Sequence, residues 1–267
     1  MSLEETICMN YKLEMPKFNS FEEERQHRKQ HMAAAFRLFA KYGFDDGFVG
    51  HISCRDPEFP DRFWLNPLAM HFSQIKTSDL VLVSHDGELL SQNKGKKSLI
   101  NRAAVSAHAE VHEARPEVVS VCHCHTVYGR AFSSLGRPLD PITQDACVFF
   151  NDHTVFDDFS GVVFEKSEGS RIAQALGPRK AIILQNHGLL TVGHSVDEAA
   201  WWFIALERAC QAQLLADSAC AKGVKPIKIN EKYARKTHDF LGTPFAGWLN
   251  FQPLYEMIVS EQPELLK

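Results

Sequence analysis

Thirteen histidines in 267 residues, several of them clustered, are the first sign of chemistry in this chain. The run Val121-Cys122-His123-Cys124-His125-Thr126 has the composition of a strand. Successive side chains of a strand point to opposite faces. His123 and His125 therefore share one face, and Cys122 and Cys124 share the other. Two imidazoles one pleat apart can chelate a metal ion, whereas the cysteines read as core packing. A second piece is Leu184-Gln185-Asn186-His187-Gly188-Leu189, where a short apolar strand ends and the chain turns. Strand ends in α/β sheets are where ligand sites gather. A third imidazole there completes a His₃ set, the ligand pattern of a catalytic metal with open positions. Zn²⁺ is the default for such a set, and Fe²⁺, Mn²⁺ and Co²⁺ also suit it. Spacing alone leaves a second reading open: hydrogen-bonded histidines on the strand and a surface histidine in a turn.

Other histidines have weaker patterns. His108 and His112 stand i, i+4 on a helical segment, which is chelating spacing. That spacing also arises by chance in a histidine-rich chain, and Glu110 and Glu113 beside them read as solvent-facing. Phe63, Trp64, Phe149 and Phe150 read as core rather than as substrate contacts.

The elements that must hold these groups follow from periodicity. Met32, Ala35, Phe36 and Phe39 recur at helical steps and predict a helix from Phe21 to about Tyr42, broken at Gly43 and Gly47. His51–Cys54 and Arg62–Asn66 read as short strands separated by prolines. Leu80–Ser84 reads as a strand closed by His85-Asp86-Gly87, with Leu89-Leu90 as its hairpin partner. A helix from about Ser98 to Ala114 stops at Arg115-Pro116, and Val118–His125 is the clearest strand. A short helix is expected at Val127–Leu135, an irregular stretch from Gly136 to Gly161, and a strand at Val162–Phe164. Glu168–Leu176 reads as a helix and Ala181–Gln185 as a strand. Ser195-Val196-Asp197-Glu198 has the form of a capping box, opening a helix to about Asp217. Beyond it lie a polar linker (Lys222–Lys232), a short helix and a Gly/Pro/aromatic tail. There is no internal repeat. The expected organisation is an arm over residues 1–20, one α/β domain over 21–220, and a linker, helix and tail over 221–267.

Composition narrows the class. Apolar residues make up 45% and charged residues 23%, which excludes a disordered or collagen-like chain. A net charge of −4 advertises no basic face for nucleic acid. No apolar run approaches the roughly 18–20 residues that cross a bilayer. The acidic Met1-Ser-Leu-Glu-Glu5 is unlike a signal peptide. Seven scattered cysteines without an export signal suggest reduced thiols, so a cytoplasmic location is expected.

Three segments together, Glu110-Val-His-Glu-Ala-Arg-Pro116, Val121-Cys-His-Cys-His-Thr126 and Gln185-Asn-His-Gly-Leu-Leu190, resemble the class II aldolase/adducin family over about residues 25–220. The resemblance implies an α/β/α fold with a central, mostly antiparallel sheet, and a homotetramer with sites between subunits. It implies that His123, His125 and His187 bind a divalent metal, which in the family's enzymes polarises a carbonyl and stabilises an enediolate. It also exposes departures. The family's sugar-phosphate aldolases carry a glutamate base nineteen residues before the first ligand histidine, and that place here is Ala104. The phosphate-binding hydroxyl residues before it correspond to Arg102 and Ala103. The loop Gly-Asn is Gly50-His51, and a phosphate-contacting Thr-Gly is Leu68-Ala69. A sugar-phosphate aldolase is therefore not expected.

Gly50-His-Ile52, Phe63-Trp-Leu-Asn-Pro67, Thr143-Gln-Asp-Ala-Cys147, Asn151-Asp-His153 and Gly242-Thr-Pro-Phe-Ala-Gly-Trp248 resemble one branch of the family. That branch includes the aminocoumarin-antibiotic enzyme leading from a prenylated hydroxyphenylpyruvate to a prenylated hydroxybenzoate. With Ala104 inert, Asp145 and His153 are candidates to move protons, against the reading of a plain turn. By family analogy His51 and His71 flank the substrate pocket. Arg102 is the candidate to grip a carboxylate, because a guanidinium fork matches one bidentately. The expected partner is thus a small, carboxylate-bearing molecule. Two functions remain: a metal-dependent lyase or decarboxylase on a carbonyl or 2-oxo acid, and an adducin-like interaction module without catalysis. The first accounts for a full His₃ set and the second for the missing base. In the tetramer the apolar tail from Gly242 to Tyr255 is expected to pack near a site.

Overall fold

The computed structural model describes residues 3, 14–90, 99–161, 166–220 and 223–267. Its centre is a seven-stranded sheet: β1 (His51–Arg55), β2 (Arg62–Leu65), β3 (Val81–Ser84), β4 (Ser120–Cys124), β5 (His153–Phe156), β6 (Ala181–Leu184) and β7 (Gly188–Gly193). The spatial order is β3-β2-β1-β4-β7-β6-β5. Every neighbouring pair is antiparallel except β5 with β6. β4, with its histidines, lies in the middle.

Seven helices surround the sheet among the described residues: α1 (Phe21–Lys41), α2 (Arg102–Ala114), α3 (Val127–Ser133), α4 (Lys166–Leu176), α5 (Val196–Ala219), α6 (Glu231–Leu241) and α7 (Pro244–Glu261). Alternation along the strands sorts the two faces. Val121, Ile182, Leu184, Leu190 and Val192 pack with Ala107 and Val111 of α2 and Ile172 and Leu176 of α4. Ile52, Cys54, Cys122, Cys124, Ile183 and Leu189 pack with Phe36 and Phe39 of α1, Trp202 and Phe203 of α5 and Phe251 of α7. The result is the three-layer α/β/α arrangement with a mostly antiparallel sheet, and Cys122 and Cys124 are core residues.

Local signals set the helix ends. The Ser20 hydroxyl accepts from Glu23 N–H at the start of α1, and three glutamates fill its first turn. Asn101 caps α2 through Ala103 and Ala104 N–H, three residues inside the expected start. Ser195 caps α5 by accepting from Glu198 N–H. Leu89 bridges Val83, and Leu90 N–H donates to Leu82 O at 2.8 Å, so the expected hairpin forms as a single bridge.

Three expectations change. β5 lies within the stretch read as irregular: it is a four-residue, half-buried edge strand without alternation. β7 was not expected, because glycine stands at both its ends. Those glycines are needed for close approach: a Cβ on Gly193 would sit 2.6 Å from Ala199 N. The Gly/Pro/aromatic tail is the helix α7, with Thr243 capping Ala246 N–H and Pro244 in the first turn. Phe245, Trp248 and Phe251 are buried within their own chain, so they leave no apolar surface that an assembly would have to hide. The strand expected at Val162–Phe164 lies outside the described residues. Phe63 and Phe149 are fully buried as expected of core. No helix among the described residues is long and apolar enough to cross a membrane.

Candidate metal centre

His123 projects from β4 on the α2 face, and His125 follows one residue beyond the strand's end. β6 and β7 are joined by the three-residue turn Gln185-Asn186-His187, in which His187 N–H donates to Leu184 O at 3.0 Å. Asn186 takes a left-handed backbone, φ 58°, a conformation asparagine tolerates better than most residues. Gly188 is required next to it, since a Cβ there would lie 2.8 Å from Cys124 O. β7 pairs with β4 in the register Cys124–Leu189, which carries the turn back to the end of β4.

The three rings meet there. Centroids are 5.0 Å apart for His123 and His125, and 4.7 Å for His187 with each of the others. One nitrogen from each ring lies within 4.8 Å of the other two. His123 Nδ1 stands 2.8 Å from Leu189 O. A carbonyl only accepts, so Nδ1 carries the hydrogen and Nε2 keeps its lone pair. No hydrogen bond among the described residues engages the side chains of His125 or His187. Burial, with the neighbouring histidines, pushes His123 well below its usual range and His187 to about 4. Burial and the Arg130 cation lower His125 as well. Neutral imidazoles, one oriented through its distal nitrogen to a carbonyl, are the donor set that fits one divalent ion.

Two groups that sequence reasoning passed over support His125. The buried Glu207 carboxylate of α5 accepts from the Thr126 hydroxyl, from Tyr128 N–H at 3.0 Å and from Gly129 N–H at 2.7 Å. It thereby closes the start of α3 immediately after His125. Arg130, one turn along α3, is paired with Asp46 at 2.8 Å, and both charges act on His125. Neither has a local sequence signal: the partners that hold them, Thr126 for Glu207 and Asp46 for Arg130, are far away in the chain.

The other expected site residues are distributed differently. His51 is buried beside the trio, its ring 4.9 Å from that of His123. His108 and His112 do not converge on an ion; they are hydrogen-bonded to His51 and Ser53. His71 is exposed and paired with Asp45 at 2.9 Å. Arg102 is exposed at the start of α2, with no contact among the described residues tying it to the trio. His153 starts β5 opposite Ala181, at the end of the sheet away from His187, and its ring is engaged by Leu139 N–H and Phe149 O. Asp145 is exposed before the short 3₁₀ turn Ala146–Phe149. The subunit therefore brings neither Asp145 nor His153 to the histidine trio. Ala104 is fully buried with Phe63, Leu65, Val81 and Val83, an apolar setting for the place of the aldolase base.

One further set of three ligand-type groups converges among the described residues: His27, His31 and Asp197. There His31 Nδ1 and the Asp197 carboxylate already bond each other at 2.5 Å, and the His31 ring stacks on Tyr255. That pair is satisfied within the fold, unlike the trio.

The sequence and the fold have counterparts among known proteins. Residues 30–214 match the family model described as class II aldolase and adducin N-terminal domain. The chain belongs to the class II aldolase/adducin family. Among its family relatives is decarboxylase NovR of Streptomyces niveus, 48% identical over 257 residues, covering 96% of this chain and 93% of that one. The 4-hydroxy-3-prenylphenylpyruvate oxygenase/4-hydroxy-3-prenylbenzoate synthase of Streptomyces roseochromogenus subsp. oscitans is 49% identical over 251 residues, 94% of this chain and 88% of that one. A solved structure titled L-fuculose 1-phosphate aldolase, from Glaciozyma antarctica PI12, superposes with a TM-score of 0.87 at 43% identity, covering 95% of this chain and 97% of that one. This class II aldolase/adducin chain thus has similar proteins named for decarboxylation and for aldol cleavage.

Proposed function

We propose that this chain is a divalent-metal-dependent lyase or decarboxylase acting on a small or aromatic carbonyl compound, foremost a 2-oxo acid, and not a sugar-phosphate aldolase. The observation that carries the reading is the convergence of His123, His125 and His187 with their free nitrogens together. A divalent ion held by these three would supply a Lewis acid for polarising a substrate carbonyl oxygen. Three imidazoles suit Zn²⁺, and Fe²⁺, Mn²⁺ and Co²⁺ fit the same donors. The names of the two Streptomyces relatives support the substrate class. The aldolase title of the Glaciozyma structure pulls the other way, but Ala104 cannot take a proton and sits in an apolar cluster.

The chain's own groups have definable parts. Arg130 lies on the His125 side and can grip a substrate carboxylate by exchanging it for Asp46. His51 borders the trio and offers a ring nitrogen to the substrate. Arg102 remains the alternative carboxylate grip, from the mouth of α2. Family membership supports a homotetramer, and the cysteine pattern a cytoplasmic setting.

The missing base at Ala104 favours a second reading, a catalytically reduced interaction module of adducin type. The test begins with metal analysis on protein purified without a histidine tag. The same preparation is then incubated with 4-hydroxyphenylpyruvate and its 3-prenyl derivative, and with L-fuculose 1-phosphate. Carbon dioxide release and oxygen uptake are followed for the first two, and aldehyde release for the third. One ion per chain with carbon dioxide release supports the proposal. Brisk fuculose phosphate cleavage overturns it, and a metal-free, inert protein leaves the interaction module.

A further inference from the structure

A row of buried polar groups runs between β1 and α2, and only its His51 end enters the reading above. His51 and Ser53 are two apart on β1 and share the face toward α2. His108 and His112 are four apart on α2 and share the face toward β1. His51 Nδ1 lies 2.7 Å from His108 Nε2, and His108 Nδ1 lies 2.7 Å from Ser53 Oγ. Ser53 Oγ lies 2.9 Å from His112 Nε2, and His112 Nδ1 lies 3.3 Å from Val118 O. All four side chains are buried.

A buried polar row is tolerated when each donor meets an acceptor, and that condition assigns the hydrogens here. Val118 O only accepts, so His112 carries its hydrogen on Nδ1. Burial disfavours the charged form of His108 and His112. His112 Nε2 is then bare and accepts from the Ser53 hydroxyl. The Ser53 oxygen in turn accepts from His108 Nδ1–H. His108 Nε2 is bare and accepts from His51 Nδ1–H. What remains at the end of the row is His51 Nε2, a lone pair with no partner among the described residues. The same ring is 4.9 Å from His123 and feels His125 and His187.

We propose that His112, Ser53 and His108 are positioning residues that lock His51 as its Nδ1–H tautomer, so that its Nε2 accepts a hydrogen bond from a hydroxyl or enol of the carbonyl substrate at the histidine trio. The lock itself stands on the hydrogen-bond row; only what Nε2 meets rests on the function proposed above. The row supplies an acceptor where Ala104 supplies none. It also explains the i, i+4 histidines of α2 without a second metal.

The experiment is ¹⁵N–¹H correlation spectroscopy of the zinc-loaded full chain with labelled histidine, assigned with single His→Gln variants. His51, His108 and His112 are expected with hydrogen on Nδ1 and a bare Nε2. Ser53→Ala removes the link, so His108 is free to carry its hydrogen on Nε2 and donate to His51. The fraction of His51 with hydrogen on Nε2 should then rise roughly fivefold or more, the factor set by one ordinary hydrogen bond. Ser53→Thr keeps a hydroxyl and should restore the wild-type pattern. His112→Phe, beside the Phe63 ring, should shift His51 in the same sense as Ser53→Ala and serves if that variant fails to fold. Metal content should remain unchanged in all three. A wild-type His51 carrying hydrogen on Nε2 overturns the lock, as does a His51 spectrum indifferent to both Ser53→Ala and His112→Phe. The Nδ1–H pattern in a protein that retains no metal would uphold the lock while refuting the metal reading.

Discussion

His123 Nδ1 donates to the carbonyl of Leu189, 2.8 Å away on the neighbouring strand. One strand pairing thus orients the His123 ring and places the turn bearing His187 at the same sheet end. Orientation by a carbonyl behind the ring raises the basicity of the other nitrogen. His125→Ala leaves this pairing intact and removes one nitrogen of three. We expect bound metal to fall from one ion per chain to less than about a tenth under the same dialysis, with the far-ultraviolet circular dichroism unchanged. Full retention of metal would place the ion elsewhere.

Gly188 is the residue that allows the turn to close on β4. A Cβ there meets Cys124 O at 2.8 Å, which is backbone and cannot rotate away. Gly188→Ala should cost about 1–3 kcal/mol in urea unfolding, as overpacking does. It should also weaken metal affinity at least roughly tenfold, because His187 is displaced with the turn. A variant with normal stability and metal affinity would show that β7 can yield without moving the trio.

The buried histidines give the metal-free protein a definite acid response. His27 and His187 are lowered to about 4, and His51, His108, His112 and His123 well below the usual 6.5, with burial the largest cause in each. Above about 6.5 both folded and unfolded forms are neutral, so these groups contribute no pH dependence. Below it the unfolded chain takes up protons that the folded chain refuses, and stability falls as the pH drops toward about 4. Urea midpoints of the metal-free protein should therefore decline steadily from about pH 6.5 to 4.5. A flat profile over that interval would mean that these imidazoles are accessible.

Strand alternation was enough to place His123 apart from Cys122 and Cys124, and the strand end was enough to single out His187. Both are local signals, which a sequence displays. β7 was hidden because its limits are glycines chosen for contacts with Cys124 and Ala199, not for strand propensity. α7 was hidden by Pro244, Gly247 and Pro253, which read as helix breakers, although Gly247 is where the helix comes close to Trp202 of α5. Glu207 reaches back some eighty residues to Thr126, and the His108–Ser53 bond joins a helix to a strand. Such partners become visible only when the topology is known. The same holds for Asp145 and His153, whose loop looked functional but lies at the sheet end away from the trio.

Ala104 bears on whether this chain can cleave a sugar phosphate. It is fully buried against Phe63, Leu65, Val81 and Val83. Ala104→Glu would place a carboxylate in that cluster, at a cost of about 3–5 kcal/mol. We expect a lowered melting temperature and no gain of L-fuculose 1-phosphate cleavage. Gain of that activity with retained stability would show that position 104 reaches the trio and that the chain is an aldolase short of its base.

The last prediction sets Arg130 against Arg102 as the grip on a substrate carboxylate. Arg130 stands one turn beyond Thr126, so the backbone that carries His125 also carries the guanidinium. Its charge acts on His125, and its ion pair with Asp46 is half-exposed and weak enough to be exchanged. Arg102 is exposed at the first turn of α2, where the face toward the sheet is taken by Ala104 and His108. A bidentate, charge-assisted pair with a carboxylate is worth about 1.5–3 kcal/mol, so its loss weakens binding roughly ten- to a hundredfold. Arg130→Gln should therefore reduce affinity for 4-hydroxyphenylpyruvate by that factor with metal content intact, and Arg102→Gln should leave it unchanged. Isothermal titration of the metal-loaded variants reads both. The reverse outcome would return the carboxylate grip to Arg102, at the mouth of α2.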